Sequence, residues 1–199
     1  MTKRLLLCVF ICCAYLGIYA QSIVLTSGSL DPLKGEKVIQ FEFTYNEMIV
    51  GRLTEEEYVL KKVSDYNEKE AGRGDKWREN WFADRKERYE PKFVELFDKH
   101  MEKKGITAGT EGANYVIVFN TDFTEPGFNV GVARKNASVD LSGTIVHIET
   151  GDQIASVKIK HSSANSFWGA DFDSGYRIQE SYAKAGREFA KFLVKKGGL

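Results

Sequence analysis

Tyr115-Val116-Ile117-Val118-Phe119 is an unbroken run of strand-forming apolar residues. A strand with water on one side alternates apolar and polar positions, whereas a strand apolar throughout is covered on both faces. YVIVF therefore predicts the central strand of a sheet, and the rest of the chain can be read outward from it. On its N-terminal side Ile39, Phe41, Phe43 and Tyr45 point one way with Gln40, Glu42 and Thr44 between them, a half-buried strand expected to continue to Val50. On its C-terminal side Phe128, Val130 and Val132 alternate with Asn129, Gly131 and Ala133. Val139, Leu141 and Ile145 begin a fourth strand, in which Gly143 suggests a bulge. Gly151-Asp152 is a tight-turn signal, and Ala155, Val157 and Ile159 alternate in a fifth strand.

Helical periodicity fills the remainder. Thr54 and Glu57 have the spacing of a capping box, and Val59, Val63 and Tyr66 share a stripe behind it. Gly72 and Gly74 interrupt the pattern. From Asp75 to Lys104 the apolar residues Trp77, Trp81, Tyr89, Phe93, Leu96, Phe97 and Met101 keep near-helical spacing. Pro91 lies among them and predicts a kink or break near Glu90. Ile178, Tyr182, Ala185, Phe189 and Phe192 form the apolar stripe of a last helix, and Gly197-Gly198 ends it.

The order is thus β-α-α-β-β-β-β-α. A helical crossover makes the first two strands parallel, and the short later links make the others antiparallel. The expected fold is α+β: a two-layer sandwich with a mixed, mostly antiparallel five-stranded sheet and helices packed on one face. Residues 37–199 are read as one domain, with residues 21–36 (Gly28, Pro32, Gly35) as an irregular lead-in.

Residues 1–20 have the layout of a secretory signal peptide. Lys3 and Arg4 precede the uncharged, mostly apolar run Leu5 to Tyr19, and Ala20 precedes Gln21. The run is short beside the roughly 20 apolar residues of a membrane anchor, and polar Gln21, Ser22, Thr26 and Ser27 follow it. Cleavage is expected after Ala20, with the product periplasmic or secreted and free of transmembrane segments. Cys8, Cys12 and Cys13 all leave with the leader, so the mature chain has no disulfide, thiol nucleophile or thiolate metal site. Lipoprotein-type processing is disfavoured, because Val9-Phe10-Ile11 stands before Cys12 where small residues are needed. The full chain has 28 basic and 28 acidic residues; loss of Lys3 and Arg4 leaves 26 against 28, a charge of −2. That balance argues against a general nucleic-acid binder.

No catalytic constellation emerges. G-x-S-x-G, G-x-x-x-x-G-K-[ST] and G-x-G-x-x-G are missing. His100 and His161 are expected near one end of the sheet and His147 near the other, with no ligand spacing, so no metal or cofactor is expected. Asp171-x-Asp173 fails as a calcium loop, because its sixth position is Tyr176 and its twelfth is Tyr182; Asp173 or Ser174 reads as a helix cap. Arg73-Gly74-Asp75 is read as an inter-helix turn. Trp77, Trp81, Phe82 and Tyr89 could form a carbohydrate platform, but their helical spacing reads as core. The loop from Ser162 to Gly175 offers Phe167, Trp168 and Phe172 as binding residues. It and the Asn120–Gly127 loop are expected at opposite ends of the sheet, which would separate Glu125 from Asp171.

Thr121 to Ala137 (TDFTEPGFNVGVARKNA), with Tyr182, Ala185, Gly186, Phe189, Ala190 and Leu193 near the end, resembles an uncharacterised family of small exported proteins from gram-negative bacteria. The resemblance spans roughly residues 36–196. More distantly, the strand–helix order is similar to the N-terminal domain of TolB and to the curli-secretion lipoprotein CsgG, although the chain lacks a propeller domain and a lipid-attachment cysteine. These resemblances imply an envelope protein that works through protein contacts, and they transfer no functional residue. The reading is a non-enzymatic exported domain that binds an envelope protein or cell-surface component. The alternative is a periplasmic protein that binds or hydrolyses glycans with loop carboxylates and aromatics.

Overall fold

The computed structural model describes residues 21–130, 133–163 and 174–199. In chain order its strands and helices are β1 (Ser22–Gly28), β2 (Val38–Thr44), β3 (Ile49–Val50), β4 (Leu53–Thr54), α1 (Glu55–Asn67), α2 (Arg73–Asp84), α3 (Glu90–Met101), β5 (Thr107–Ala108), β6 (Tyr115–Glu125), β7 (Phe128–Val130), β8 (Ala133–Lys135), β9 (Ser138–His147), β10 (Gln153–Ser162) and α4 (Ser174–Phe192). A π-helical turn, Arg85–Tyr89, joins α2 to α3, and another, Leu193–Gly197, follows α4. The widened turn before Pro91 carries the helix past the proline's missing N–H, so of the kink or break expected near Glu90 the helix shows a π-helical irregularity and no break.

The fold is α+β, with a mixed, open eight-stranded sheet in place of the five strands expected. Its main path runs β1-β10-β9-β6-β2-β5, while β3 joins β6 and β4 joins β3. β2 and β6 are parallel, as the crossover requires, and β6, β9, β10 and β1 alternate in direction. Two further departures matter. Residues 22–28, expected to be irregular, form the edge strand β1 on β10, starting with Ser22 opposite Lys160. Phe128–Val130, expected inside the sheet, instead pairs with β8 in a separate two-stranded ribbon. Glu125 of β6 lies directly opposite Ser138 of β9, so no place is left between them for a third strand.

The helices cover one face. Ile39, Phe41, Ile117, Phe119, Leu141, Ile145, Val157 and Ile159 point into that layer, where Phe41 meets Phe93 and Phe97 at centroid separations of 5.5 and 4.7 Å. Phe119 meets Phe189 edge-on at 5.1 Å. α3 and α4 touch at Gly186, where a β-carbon would stand 2.1 Å from the carbonyl oxygen of Phe93. Gly143 is opposite Phe119 in regular register, so it is not a bulge; it makes room for the Phe119 ring, 2.6 Å from where its β-carbon would be.

The other face is open, which corrects the expectation that YVIVF is covered on both sides. Val116 and Val118 are only half buried there, and Val118 is paired with Glu42 on one side and Thr144 on the other. Thr44 Oγ1 donates to Asn120 Oδ1 at 2.8 Å, Asn120 Nδ2 donates to Asp122 Oδ1 at 3.0 Å, and Ser142 donates to Asp122. A polar ladder thus crosses three strands on the solvent side.

Candidate functional site

Expulsion of β7 changes which loops are neighbours. β6 and β10 are both antiparallel to β9 and so run the same way, with Thr124 and Ser162 each paired to Val139. The Asn120–Gly127 turn and the start of the Ser162–Gly175 loop therefore share one end of the sheet, against the expectation of opposite ends. The same reversal corrects the histidines. His147 faces Tyr115 at the start of β6, and His100 ends α3 near β5, which pairs with the start of β2. His161 lies at the other end, on β10. His100 Nδ1 is 3.0 Å from the Leu96 carbonyl and His147 Nδ1 is 3.2 Å from Thr150 Oγ1. Among the described residues no three His, Cys, Asp or Glu side chains converge as a metal site.

At the shared end the Glu125-Pro126-Gly127-Phe128 turn is fixed from within and from below. Glu125 Oε1 accepts from the Gly127 N–H at 3.1 Å, and its other oxygen meets Lys135 of β8. Gly127 needs its positive φ of 66°, and a β-carbon there would strike the Lys135 carbonyl. From α4, buried Arg177 donates through Nε to the Pro126 carbonyl at 3.1 Å and through a terminal nitrogen to that of Gly127 at 3.2 Å. A helix-borne guanidinium thus satisfies two turn carbonyls. Gly175 lets the start of α4 approach Asp84, whose carboxylate would lie 2.0 Å from an added β-carbon. Asp84 pairs with Arg88 at 3.0 Å. Tyr58 of α1 belongs to the same region: burial pushes its phenol up, Tyr66 and Glu125 push it further, and Arg177 opposes them.

Beneath this end lies a polar cluster around the π-helical turn. Glu55 accepts from Trp81 Nε1 at 2.6 Å and is paired with Arg85. The Arg85 guanidinium stands 4.1 Å from the Tyr45 ring centre, and Tyr45 donates to Glu90 at 3.4 Å. Tyr182 and Thr121 share a hydrogen bond of 2.5 Å, and the Tyr182 ring stacks on Tyr89 at 5.1 Å. Burial drives the phenols of Tyr45 and Tyr182 well above their ordinary range, so both stay protonated. Glu55 and Glu90 each face a cation, Arg85 and Lys86 respectively. The cluster is therefore equipped to hold helix and sheet together rather than to pass protons.

The sequence-predicted binding residues Phe167, Trp168 and Phe172 lie outside the described residues, as do Asp171 and Asp173. What is described is their anchorage: the Ser163 carbonyl accepts from Lys184 Nζ at 2.8 Å, and α4 begins at Ser174. The aromatic helix residues divide. Trp81 and Tyr89 are core, Trp77 is half buried, and Phe82 is 40% exposed. Phe82 lines a groove of about 270 Å³ with Val59, Leu60, Val63 and Arg78. Arg73-Gly74-Asp75 is the first turn of α2, with the Gly74 N–H donating to Asn67 Oδ1 at 2.7 Å. Arg177 and Tyr58 were not singled out from the sequence. The signal for Arg177 was a cation one position from Ile178, inside the buried stripe of an amphipathic helix.

No helix among the described residues is long and apolar enough to cross a membrane. No protein-family profile and no curated protein sequence matches the chain. Solved structures that it partly resembles include a neuraminyllactose-binding hemagglutinin homolog from Helicobacter pylori, 14% identical over 86% of this chain and 92% of that one, with a TM-score of 0.38. A PelC dodecamer from Paraburkholderia phytofirmans is 11% identical over 83% and 97%, with a TM-score of 0.36. A minor lipoprotein from Acinetobacter baumannii is 7% identical over 80% and 93%, with a TM-score of 0.34. Scores this low assign neither fold nor function, and they do not bear out a likeness to TolB or CsgG.

Proposed function

We propose that the chain is an exported, non-enzymatic envelope domain, spanning residues 37–199 with β1 added at its edge. It binds a protein or cell-surface component at the sheet end that carries the Glu125–Phe128 turn, the β7–β8 ribbon and the loop bearing Phe167, Trp168 and Phe172. The observation that carries this reading is the common direction of β6 and β10, which brings the Glu125–Phe128 turn and the point after Ser162 where the chain leaves β10 to the same end of the sheet. The buried Arg177 under the turn supports it, since recognition surfaces work best on a braced backbone. Export is supported by the charge and hydropathy layout of residues 1–20.

Affinity capture from envelope fractions with C-terminally tagged residues 21–199 tests the proposal. A reproducible partner that is lost on Trp168→Ala sustains it. Failure to capture one, together with a tight glycan or other small-molecule ligand in a thermal-shift screen, overturns it.

The second reading, a protein that binds or cleaves glycans, gains from the same geometry, because Glu125 now stands at the end from which the Asp171-bearing loop departs. Against cleavage, the Glu125 carboxylate is engaged by Lys135 and the Gly127 amide. Release of reducing sugar from an envelope polysaccharide, abolished by Glu125→Gln, would favour this reading over the first.

A further inference from the structure

Gln21 opens the described chain beside an unusual concentration of positive charge. A groove of about 410 Å³ lies between the start of β1 and the last turns of α4, and Gln21, Lys184, Lys191, Lys195 and Lys196 line it. Its acidic residue, Glu188, already accepts from Arg187 and from Lys191, each at 2.9 Å. Both polar atoms of the Gln21 side chain are buried without a hydrogen-bond partner among the described residues. The next residue, Ser22, is in register with Lys160, so Gln21 directly precedes the first paired residue of the edge strand.

We infer that Gln21 is a modification site: once leader removal frees its α-amine, the residue closes to pyroglutamate. The inference rests on the export reading above, which makes Gln21 the first residue of the mature chain. The α-nitrogen attacks the side-chain carbonyl carbon Cδ, and a new N–Cδ bond forms a five-membered lactam. The Cδ–Nε2 bond breaks, a proton passes from the attacking to the departing nitrogen, and ammonia leaves. Nothing is oxidised or reduced.

Two features of the groove favour the closed form. A free α-amine, with an ordinary pKa of about 8, would bring another positive charge to a groove already lined by lysines. The lactam is neutral. Ring closure also discards the Nε2 donors that have no acceptor, leaving one N–H and one carbonyl.

The test is to secrete the full chain from a gram-negative host, incubate the purified product in neutral buffer, and determine its mass and N-terminus. The expected product begins at Gln21, is lighter by one ammonia than the cleaved sequence, and resists stepwise N-terminal sequencing until treated with pyroglutamyl aminopeptidase. Gln21→Ser, which cannot cyclise, should read normally from its first residue. A wild-type chain that begins at Gln21 with a free amine and undiminished mass overturns the inference and leaves export intact. A chain that keeps Met1, or starts elsewhere, overturns both.

Discussion

Two helix pairs in this molecule are built on the same device and used differently. α3 meets α4 at Gly186, against the Phe93 carbonyl, and α1 meets α2 at Gly74, where a β-carbon would stand 2.2 Å from the Val63 carbonyl. The first pair lies on the sheet, and its contact is filled by Phe93, Phe97 and Phe189, all fully buried. The second is filled by Tyr58, Tyr66, Trp77 and Trp81, with ring centres 5.2 to 5.9 Å apart. Lys62, Lys69 and Arg73 stand over the Tyr66 ring. One aromatic cluster is dry core; the other is partly wet and ringed by cations. The difference teaches that bulk aromatic content does not locate the core, whereas contact with the sheet does.

The largest expected effect separates the two clusters directly. Phe93→Ala should cost about 3–5 kcal/mol, as truncation of a fully buried aromatic does, and half-buried Trp77→Ala roughly 2 kcal/mol. Urea unfolding measures both, and equal losses would break the comparison. Next come the glycines. Gly186→Ala and Gly74→Ala each force a β-carbon into backbone, at about 1–3 kcal/mol, partly offset for a helical glycine by roughly 1 kcal/mol of propensity. Hydrogen exchange should show global loosening for Gly186→Ala and loosening confined to α1 and α2 for Gly74→Ala. A global response to Gly74→Ala would mean that the outer pair is as integral as the inner one.

Arg177→Gln tests the sheet end that both pairs border. Loss of its bonds to the Pro126 and Gly127 carbonyls should cost about 2 kcal/mol. Limited proteolysis should then open the 126–136 ribbon first. Cleavage that begins in α1 or α2 instead would deny Arg177 its bracing role.

The smallest effect is electrostatic and belongs to the inner pair. Burial pushes the Glu188 carboxyl up, but hydrogen bonds from Lys191 and Arg187, and their charges, hold it below the ordinary carboxylate range. A carboxyl lowered in the folded state adds stability above its unfolded pKa of about 4.3 and loses it as pH falls through the folded value. Glu188→Gln should therefore lose a few tenths of a kcal/mol at neutral pH, since the pair is largely solvated, and nothing in strong acid. Paired urea titrations at the two pH values check the sign; an equal loss at both would assign the effect to packing.

Periodicity makes β2, β6, β9, β10, α1, α4 and the stretch that holds α2 and α3 legible in the sequence, because each presents an apolar side, although α2 and α3 read as one helical stretch. The capping box is present as read: Thr54 Oγ1 accepts from the Glu57 N–H at 3.3 Å, and Glu57 Oε2 accepts from the Thr54 N–H at 2.9 Å. β1 is not legible in the sequence, because an edge strand exposed at every residue but Ile23 has no buried side to impose alternation. Alternation alone does not assign β7 to a sheet, because it is identical in a detached ribbon; the pairing of Glu125 with Ser138 does, and no local pattern encodes it. That one misplaced strand also reversed the predicted ends of the loops. The candidate site is thus half legible: the turn and the loop can be named from the sequence, but not that β6 and β10 end on the same side of the sheet.

The β1–β10 pairing also sets a timetable. Ser22 opens β1, yet its partner Lys160 lies on β10, after every other strand of the sheet. A chain emerging in order from a ribosome or a translocation pore must therefore carry β1 unpaired until β10 has emerged. This edge of the sheet cannot close until β10 has arrived, so its formation should be slow compared with the local helices. During that interval the uncharged SIVLTSG segment is open to any other strand edge or chaperone nearby.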